Sequence, residues 1–129
     1  MHGHVETAGG VSGNMAHHNS FRGRMRCVNG PQPKGERLMW AETFYKPVEY
    51  RANETLLEIT IYTGVTHQIR CQLASIGYPI VGDKKYRCKT NPIKRLCLHA
   101  NMLEFIHPVS KKIITIKCDI PDEFNRIMK

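Results

Sequence analysis

Between Leu38 and Tyr50 the chain reads Leu-Met-Trp-Ala-Glu-Thr-Phe-Tyr-Lys-Pro-Val-Glu-Tyr, dense in aromatic and β-branched side chains. Such residues fit a pleated, half-buried surface, so a strand is expected here. Pro47 has no N–H for a ladder and belongs at an edge or a bulge. Asn53-Glu54 suits a turn, and Leu56-Leu57-Glu58-Ile59-Thr60-Ile61-Tyr62 reads as the returning strand of an antiparallel hairpin, closed by Thr63-Gly64. The period then changes. Ile69, Leu73 and Ile76 fall at i, i+4 and i+7, with Thr66 placed to cap a helix, Gly77 to stop it and Pro79 to forbid its continuation. Arg70 lies about 100° round the helix from Ile69, at the border of the apolar stripe. There it can reach into a cleft, or lay its stem over the core edge as a surface arginine.

Further on, Leu96 to Ile106 reads as a long strand, His107-Pro108-Val109-Ser110-Lys111 as a turn, and Lys112 to Cys118 as the alternating partner. Asp119-Ile120-Pro121-Asp122-Glu123-Phe124 opens a short helix, with Pro121 near its first position and acids in its first turn. The expected class is α+β: mainly antiparallel sheet built from hairpins, with two short helices.

The first 35 residues differ in texture. They hold seven of the ten glycines and four of the seven histidines, but Phe21 as their one aromatic. So little apolar surface does not offset ordering entropy. Residues 1–35 are therefore expected as a flexible Gly/His-rich leader ending in the turn-rich Asn29-Gly30-Pro31-Gln32-Pro33, and 36–129 as the folded part. His2, His4, His17 and His18 sit among glycines that offer no rigid ligand geometry, and no metal site is expected.

Charge narrows the partner. Nineteen Lys+Arg against eleven Asp+Glu leave a net charge of +8, which attracts polyanions such as nucleic acid. Lys84, Lys85, Arg87, Lys89, Lys94 and Arg95 cluster around Tyr86 with no acid among them. Cations interleaved with an aromatic suit backbone tracking and base stacking; a solvated basic loop is the plainer alternative. No apolar run reaches the about 18 residues of a membrane helix, and Met1-His2-Gly3-His4 does not open a secretory signal. Cys27, Cys71, Cys88, Cys97 and Cys118 are odd in number and widely spaced, without a C-x-x-C pair. They read as free thiols in an intracellular, reducing compartment, with cytoplasm, nucleus and mitochondrion undistinguished.

Thr63-Gly64-Val65-Thr66-His67-Gln68-Ile69-Arg70, followed by Gly77-Tyr78-Pro79-Ile80-Val81-Gly82-Asp83 and Tyr86, closely resembles the hallmark stretch of the RluA-type (RsuA/RluA-like) RNA pseudouridine synthases. That family reads T-G-R-T-H-Q-I-R, then a short helix, G-x-P-I-x-G-D and a tyrosine. Leu98-His99-Ala100, Phe105-Ile106-His107-Pro108 and Pro121-Asp122-Glu123-Phe124 match its closing strands and terminal helix in the same order, so the resemblance spans about residues 36–125.

The resemblance implies the C-terminal half of a catalytic domain that flips a uridine out of rRNA or tRNA, detaches the base, rotates it and rejoins it through carbon, with no cofactor. It implies that Arg70 pairs with a catalytic aspartate, carried in the family by an upstream R-L-D segment. No R-L-D occurs here; the three aspartates are Asp83, Asp119 and Asp122. Asp83 is expected to fix its loop. Tyr62, Thr66, His67 and Gln68 are candidates for the base pocket, with a core-rim position the plainer reading of Tyr62. Lys84, Lys85, Tyr86, Arg87, Lys89, Lys94 and Arg95 are candidates for RNA contact. Val65 stands where the family has arginine, and Arg87 where it often has glycine. His67, His99 and His107 are expected to be structural. The chain by itself is therefore expected to be inactive and marginally stable or aggregation-prone, either a fragment of a longer enzyme or one half completed by a separate polypeptide carrying the other. The alternative is a non-catalytic RNA-binding or ribonucleoprotein subunit derived from the family.

Overall fold

In a computed structural model of the chain, which describes residues 1–18, 23–30 and 35–127, twelve residues of strand-favouring sequence make β3 (Met39–Tyr50) the longest element. The others are β1 (Gly9–His17), β2 (Met25–Cys27), β4 (Thr55–Ile61), α1 (Gln68–Ser75), β5 (Met102–Ile106), β6 (Ile113–Lys117) and α2 (Asp122–Ile127). The α+β class and the antiparallel hairpins are as expected: a four-stranded sheet of order β2-β1-β3-β4 stands beside a two-stranded β5-β6 ribbon. β3 and β4 pair from Thr43↔Ile61 to Tyr50↔Thr55, and their register slips between Pro47 and Glu49, a bulge where the missing proline N–H costs no rung.

The expectation of a loosely attached leader over residues 1–35 is corrected. β1 lies inside the sheet, paired with β3 from Gly9↔Tyr45 to Met15↔Met39 and with β2 from Met15↔Cys27 to His17↔Met25. Met15 and Ala16 are fully buried, and Val5 and Met25 nearly so. A strand is held by backbone hydrogen bonds, which glycine makes as well as any residue, so low apolar content does not forbid it. Gly9 also fits where a side chain would not: an added Cβ would sit 2.6 Å from the Tyr45 hydroxyl oxygen. The expected turn through Pro31–Pro33, like Phe21, lies outside the described residues.

The core joins Met15 and Met25 to Ala41, Cys71 and Tyr86, with Cys27, Met39, Val65 and Ala74 against them. The helix α1 does not seat on its apolar stripe. Leu73 is buried, but Ile76 is 37% exposed, and the buried face is made by Gln68, Cys71, Gln72 and Leu73. Thr66 is not its cap either; His67 precedes the helix in a left-handed conformation without a side-chain cap. Gln68 does that work instead. Its Oε1 accepts from the Val65 N–H (3.1 Å) and the Thr63 hydroxyl (2.9 Å), closing the entering turn. At the other end Tyr78 N–H bonds Leu73 O and Gly77 N–H bonds Ala74 O, a Schellman closure that stops the helix where expected.

The long strand expected from Leu96 shortens to β5 (Met102–Ile106), because its five-residue partner β6 (Ile113–Lys117) can satisfy only that much ladder. The preceding stretch is instead fastened by Cys97 N–H to Val81 O at 2.9 Å. His107 organises the connecting turn, its Nδ1 accepting from both Val109 and Ser110 N–H at 3.1 Å. The ribbon is exposed along both faces, with Met102, Leu103, Ile106, Ile113 and Ile116 all more than half open to solvent.

Gly82 turns the chain at φ +81°, and a Cβ there would point directly at the Arg95 carbonyl, 2.7 Å from its carbon. Gly82→Ala is expected to destabilise the fold by more than the about 1–2 kcal/mol of left-handed strain alone. Gly64→Ala, where an added Cβ meets nothing within 4 Å, is expected to change stability by less than about 1 kcal/mol. Urea unfolding of both variants checks this.

Candidate active site

The motif that begins the helix and the loop that follows it meet at one ion pair. Arg70, on α1, donates from Nε to Asp83 Oδ2 and from Nη2 to Asp83 Oδ1, both at 2.8 Å. Asp83 is fully buried, while the Arg70 side chain keeps 20% exposure. A bidentate fork fixes the guanidinium plane as well as its position. Asp83 also accepts from the Tyr86 N–H at 3.3 Å, so one carboxylate shapes the loop and aims the arginine. It raises the Arg70 pKa through that hydrogen bond, against the opposing effect of burial, and the guanidinium stays charged.

Tyr86 is the floor of this site. Its ring lies 5.2 Å from Arg70 Cζ and 5.4 Å from Arg24 Cζ, and edge-on to His67 with centroids 5.6 Å apart. Its hydroxyl accepts from the Met25 N–H at 2.9 Å and bonds His67 Nδ1 at 2.8 Å. Burial, first among the causes, raises the Tyr86 pKa and keeps the phenol neutral. Burial, then the charges of Arg70 and Lys85, lowers that of His67 and keeps the imidazole neutral. A neutral phenol that accepts from Met25 has its own proton to give to His67 Nδ1.

The structure sorts the sequence candidates. Arg70, His67 and Tyr86 come together. Tyr86, expected among RNA-contacting residues, is only 4% exposed and has no face free for a base. Gln68, expected near the pocket, is buried with its amide fully engaged: besides its two acceptor contacts it donates to Glu42 O (2.8 Å) and Thr43 Oγ1 (3.1 Å). Thr66 is exposed. Tyr62 is 84% exposed and lies edge-to-face with Phe44, ring centroids 6.2 Å apart. Lys84, Lys85, Arg87, Lys89 and Lys94 are exposed. Arg95 instead bonds Glu123 at 3.5 Å and lies 5.5 Å over Phe124, tying down α2. Lys85 reaches across to Gly23 O at 3.1 Å. Sequence reasoning missed that Arg24 and Met25 wall this site; the alternation Arg24-Met25-Arg26-Cys27 was the available signal of a half-buried strand. Among the described residues no three or more His, Cys, Asp or Glu side chains gather to hold a metal, and no helix is long and apolar enough to cross a membrane.

No protein-family model matches the chain. It is 34% identical, over 98% of its own length, to the ribosomal large subunit pseudouridine synthase D of Nitrosomonas europaea, of which it covers 38%. It is 39% identical, over 65% of its length, to the dual-specificity RNA pseudouridine synthase RluA of Haemophilus ducreyi, of which it covers 39%. The solved structure of human RNA Pseudouridylate Synthase Domain Containing 1 shares the fold with a TM-score of 0.72 at 22% identity, over 92% of this chain and 51% of that one. The chain belongs to the RluA-type RNA pseudouridine synthase family and spans about two fifths of the length of these curated relatives. Likeness to the Nitrosomonas protein extends beyond the expected 36–125 into the first 35 residues, as their place in the sheet requires.

Two outcomes follow from this geometry. Asp83→Asn removes the charge that balances Arg70 and leaves the guanidinium half-buried beside a neutral amide; chemical denaturation is expected to show a loss of about 3 kcal/mol. For His67 the folded pKa lies below the ordinary value of about 6.5, so the unfolded chain takes up the proton first. The His67 contribution is therefore complete above about pH 6.5 and lost as pH falls through the lowered folded value. His67→Gln is expected to flatten the acid side of a stability–pH profile over that window.

Proposed function

We propose that this chain is the arginine-bearing part of an RNA pseudouridine synthase, which isomerises uridine to pseudouridine in rRNA or tRNA once a segment carrying the catalytic aspartate is docked. The observation that carries the reading is the Arg70 fork. Asp83 occupies the Nε–Nη2 edge, and arginine presents five N–H donors, so the Nη1 side is left to take a second carboxylate. An incoming aspartate held there would be kept ionised and oriented by the charge it faces. Asp83 and Tyr86 are positioning residues in this scheme; Arg70 is the group that meets the reacting machinery.

The partner is a polypeptide segment corresponding to the remainder of the relatives' length. The exposed apolar groups support it: Trp40 and Phe44 on the open face of β3, Ile61 at the end of β4, and both faces of the β5-β6 ribbon. Surfaces of this kind mark interfaces. RNA would be tracked by Lys84, Lys85, Arg87, Lys89 and Lys94, whose contacts with phosphate make binding salt-dependent. Tyr62 is the exposed aromatic beside the motif on which a base can stack.

Mass-spectrometric quantification of pseudouridine in rRNA tests the reading. The isolated chain is expected to form none, and the chain combined with an aspartate-bearing segment of a relative to form it. In that combination Arg70→Ala is expected to lower the rate by at least about 100-fold, the loss typical of one preorganised electrostatic contact. Conversion by the isolated chain, or full activity of Arg70→Ala in the complex, would overturn the assignment.

A further inference from the structure

Cys27 on β2 and Cys71 on α1 bring their sulfurs to 3.6 Å, although 44 positions separate them in the chain. Neither is bonded covalently. Beside them a cavity of about 240 Å³ opens to solvent, lined by Val11, Asn14, Cys27, Gln72, Ser75 and Ile76 among others. The two thiols are not equivalent. Cys27 lines the cavity and is half-buried; Cys71 sits behind it in the core, only 5% exposed.

We propose that Cys27 and Cys71 form a redox modification site, in which a hydroperoxide entering the cavity oxidises Cys27 and Cys71 then closes an intrachain disulfide. In the first step the Cys27 sulfur attacks the terminal peroxide oxygen. The O–O bond breaks, Cys27 becomes a sulfenic acid, and the departing hydroxide (an alkoxide from an organic hydroperoxide) takes a proton and leaves as water (or as the alcohol). In the second step the Cys71 sulfur attacks the Cys27 sulfur, the S–O bond breaks, and the hydroxide leaves with the Cys71 proton as water. The two sulfurs together lose two electrons, and the peroxide gains them.

The asymmetry of the pair assigns these roles. The two sulfurs lie within hydrogen-bonding reach, and their shared contact lowers the Cys27 pKa and raises that of Cys71. The thiolate is the nucleophile, so the sulfur that lines the open cavity and whose pKa is lowered reacts first. The remaining cysteines lack this arrangement: Cys88 and Cys97 bond the carbonyls of Thr90 and Arg95, and Cys118 is exposed near Asp119 O. Closure also has a structural consequence. It ties β2 to α1 beside Met25 and Arg70, the residues that hold the two sides of Tyr86.

The test uses the full chain carrying Cys118→Ser, which removes the exposed thiol and leaves four of the five. Equimolar hydrogen peroxide is expected to lower the free thiols from four to two and the mass by about 2 Da, with one proteolytic peptide pair linking Cys27 to Cys71. A further Cys71→Ser change is expected to stop the reaction at a sulfenic acid on Cys27, trapped as its dimedone adduct. Repeating the oxidation in urea is expected to scatter the cross-links. Four thiols surviving treatment, a linkage through Cys88 or Cys97 in the folded chain, the same pairing in urea, or no adduct on Cys27 would each overturn the proposal.

Discussion

Gln68 and Gln72 hold α1 to β3 with their side-chain amides, and the position of everything after them depends on that seat. Glu42 lies one residue past the last β3–β4 rung, Thr43↔Ile61. Its N–H is taken by Thr63 Oγ1 and its carbonyl by Gln68 Nε2. One turn along the helix, Gln72 donates to Ala41 O at 3.0 Å and accepts from the Thr43 hydroxyl at 2.6 Å. A buried amide left unmatched costs about 1–3 kcal/mol, so this network tolerates only one rotation of the helix about its axis. That rotation puts Cys71 in the core beside Cys27 and leaves Arg70 on the flank facing Asp83. An apolar stripe could have slid or turned by a fraction of a residue; four directed hydrogen bonds could not.

The same seat explains how the first residues of the chain come to wall the site. α1 covers a sheet in which β1 and β2 lie on the far side of β3, so Met15 and Met25 meet Cys71 and Tyr86 beneath the helix. Tyr86 then unites three separated stretches: its hydroxyl on Met25 N–H, its ring under Arg70 and Arg24, and its backbone on Asp83. The site is thus a product of long-range contacts around one buried phenol. Its electrostatics follow from burial, with Tyr86 and His67 neutral and Arg70 charged at one shielded edge.

What the fold leaves uncovered is as informative as what it packs. The β5-β6 ribbon has apolar residues on both faces, and among the described residues no layer packs against either, which a domain of two packed layers does not ordinarily leave. The open face of β3 carries Trp40 and Phe44. The chain spans about two fifths of its curated relatives, and it leaves these apolar surfaces open together with the Nη1 side of the Arg70 guanidinium.

Local signals were legible wherever a short stretch decides its own geometry. The β3–β4 hairpin, the bulge at Pro47, the stop at Gly77 and the turn at His107 depend on neighbouring residues alone. The order of motifs from Thr63 to Tyr86 carried the family, and the cationic run after Asp83 stood out because no acid lies within it. Partners distant in sequence were not legible. Glycine-rich residues 9–17 looked unable to fold because their burial is supplied by Tyr45, Ala41 and α1 rather than by themselves. The stripe Ile69-Leu73-Ile76 pointed to the wrong helix face because hydrophobic periodicity does not register a glutamine that finds every hydrogen bond. Tyr86 looked like a stacking residue and became core because Met25 and His67 satisfy its hydroxyl. The sequence by itself determined the elements, the charge and the chemistry of the motif; the tertiary structure decided which side chains were buried, since burial of a polar group depends on partners that only the folded chain brings within reach.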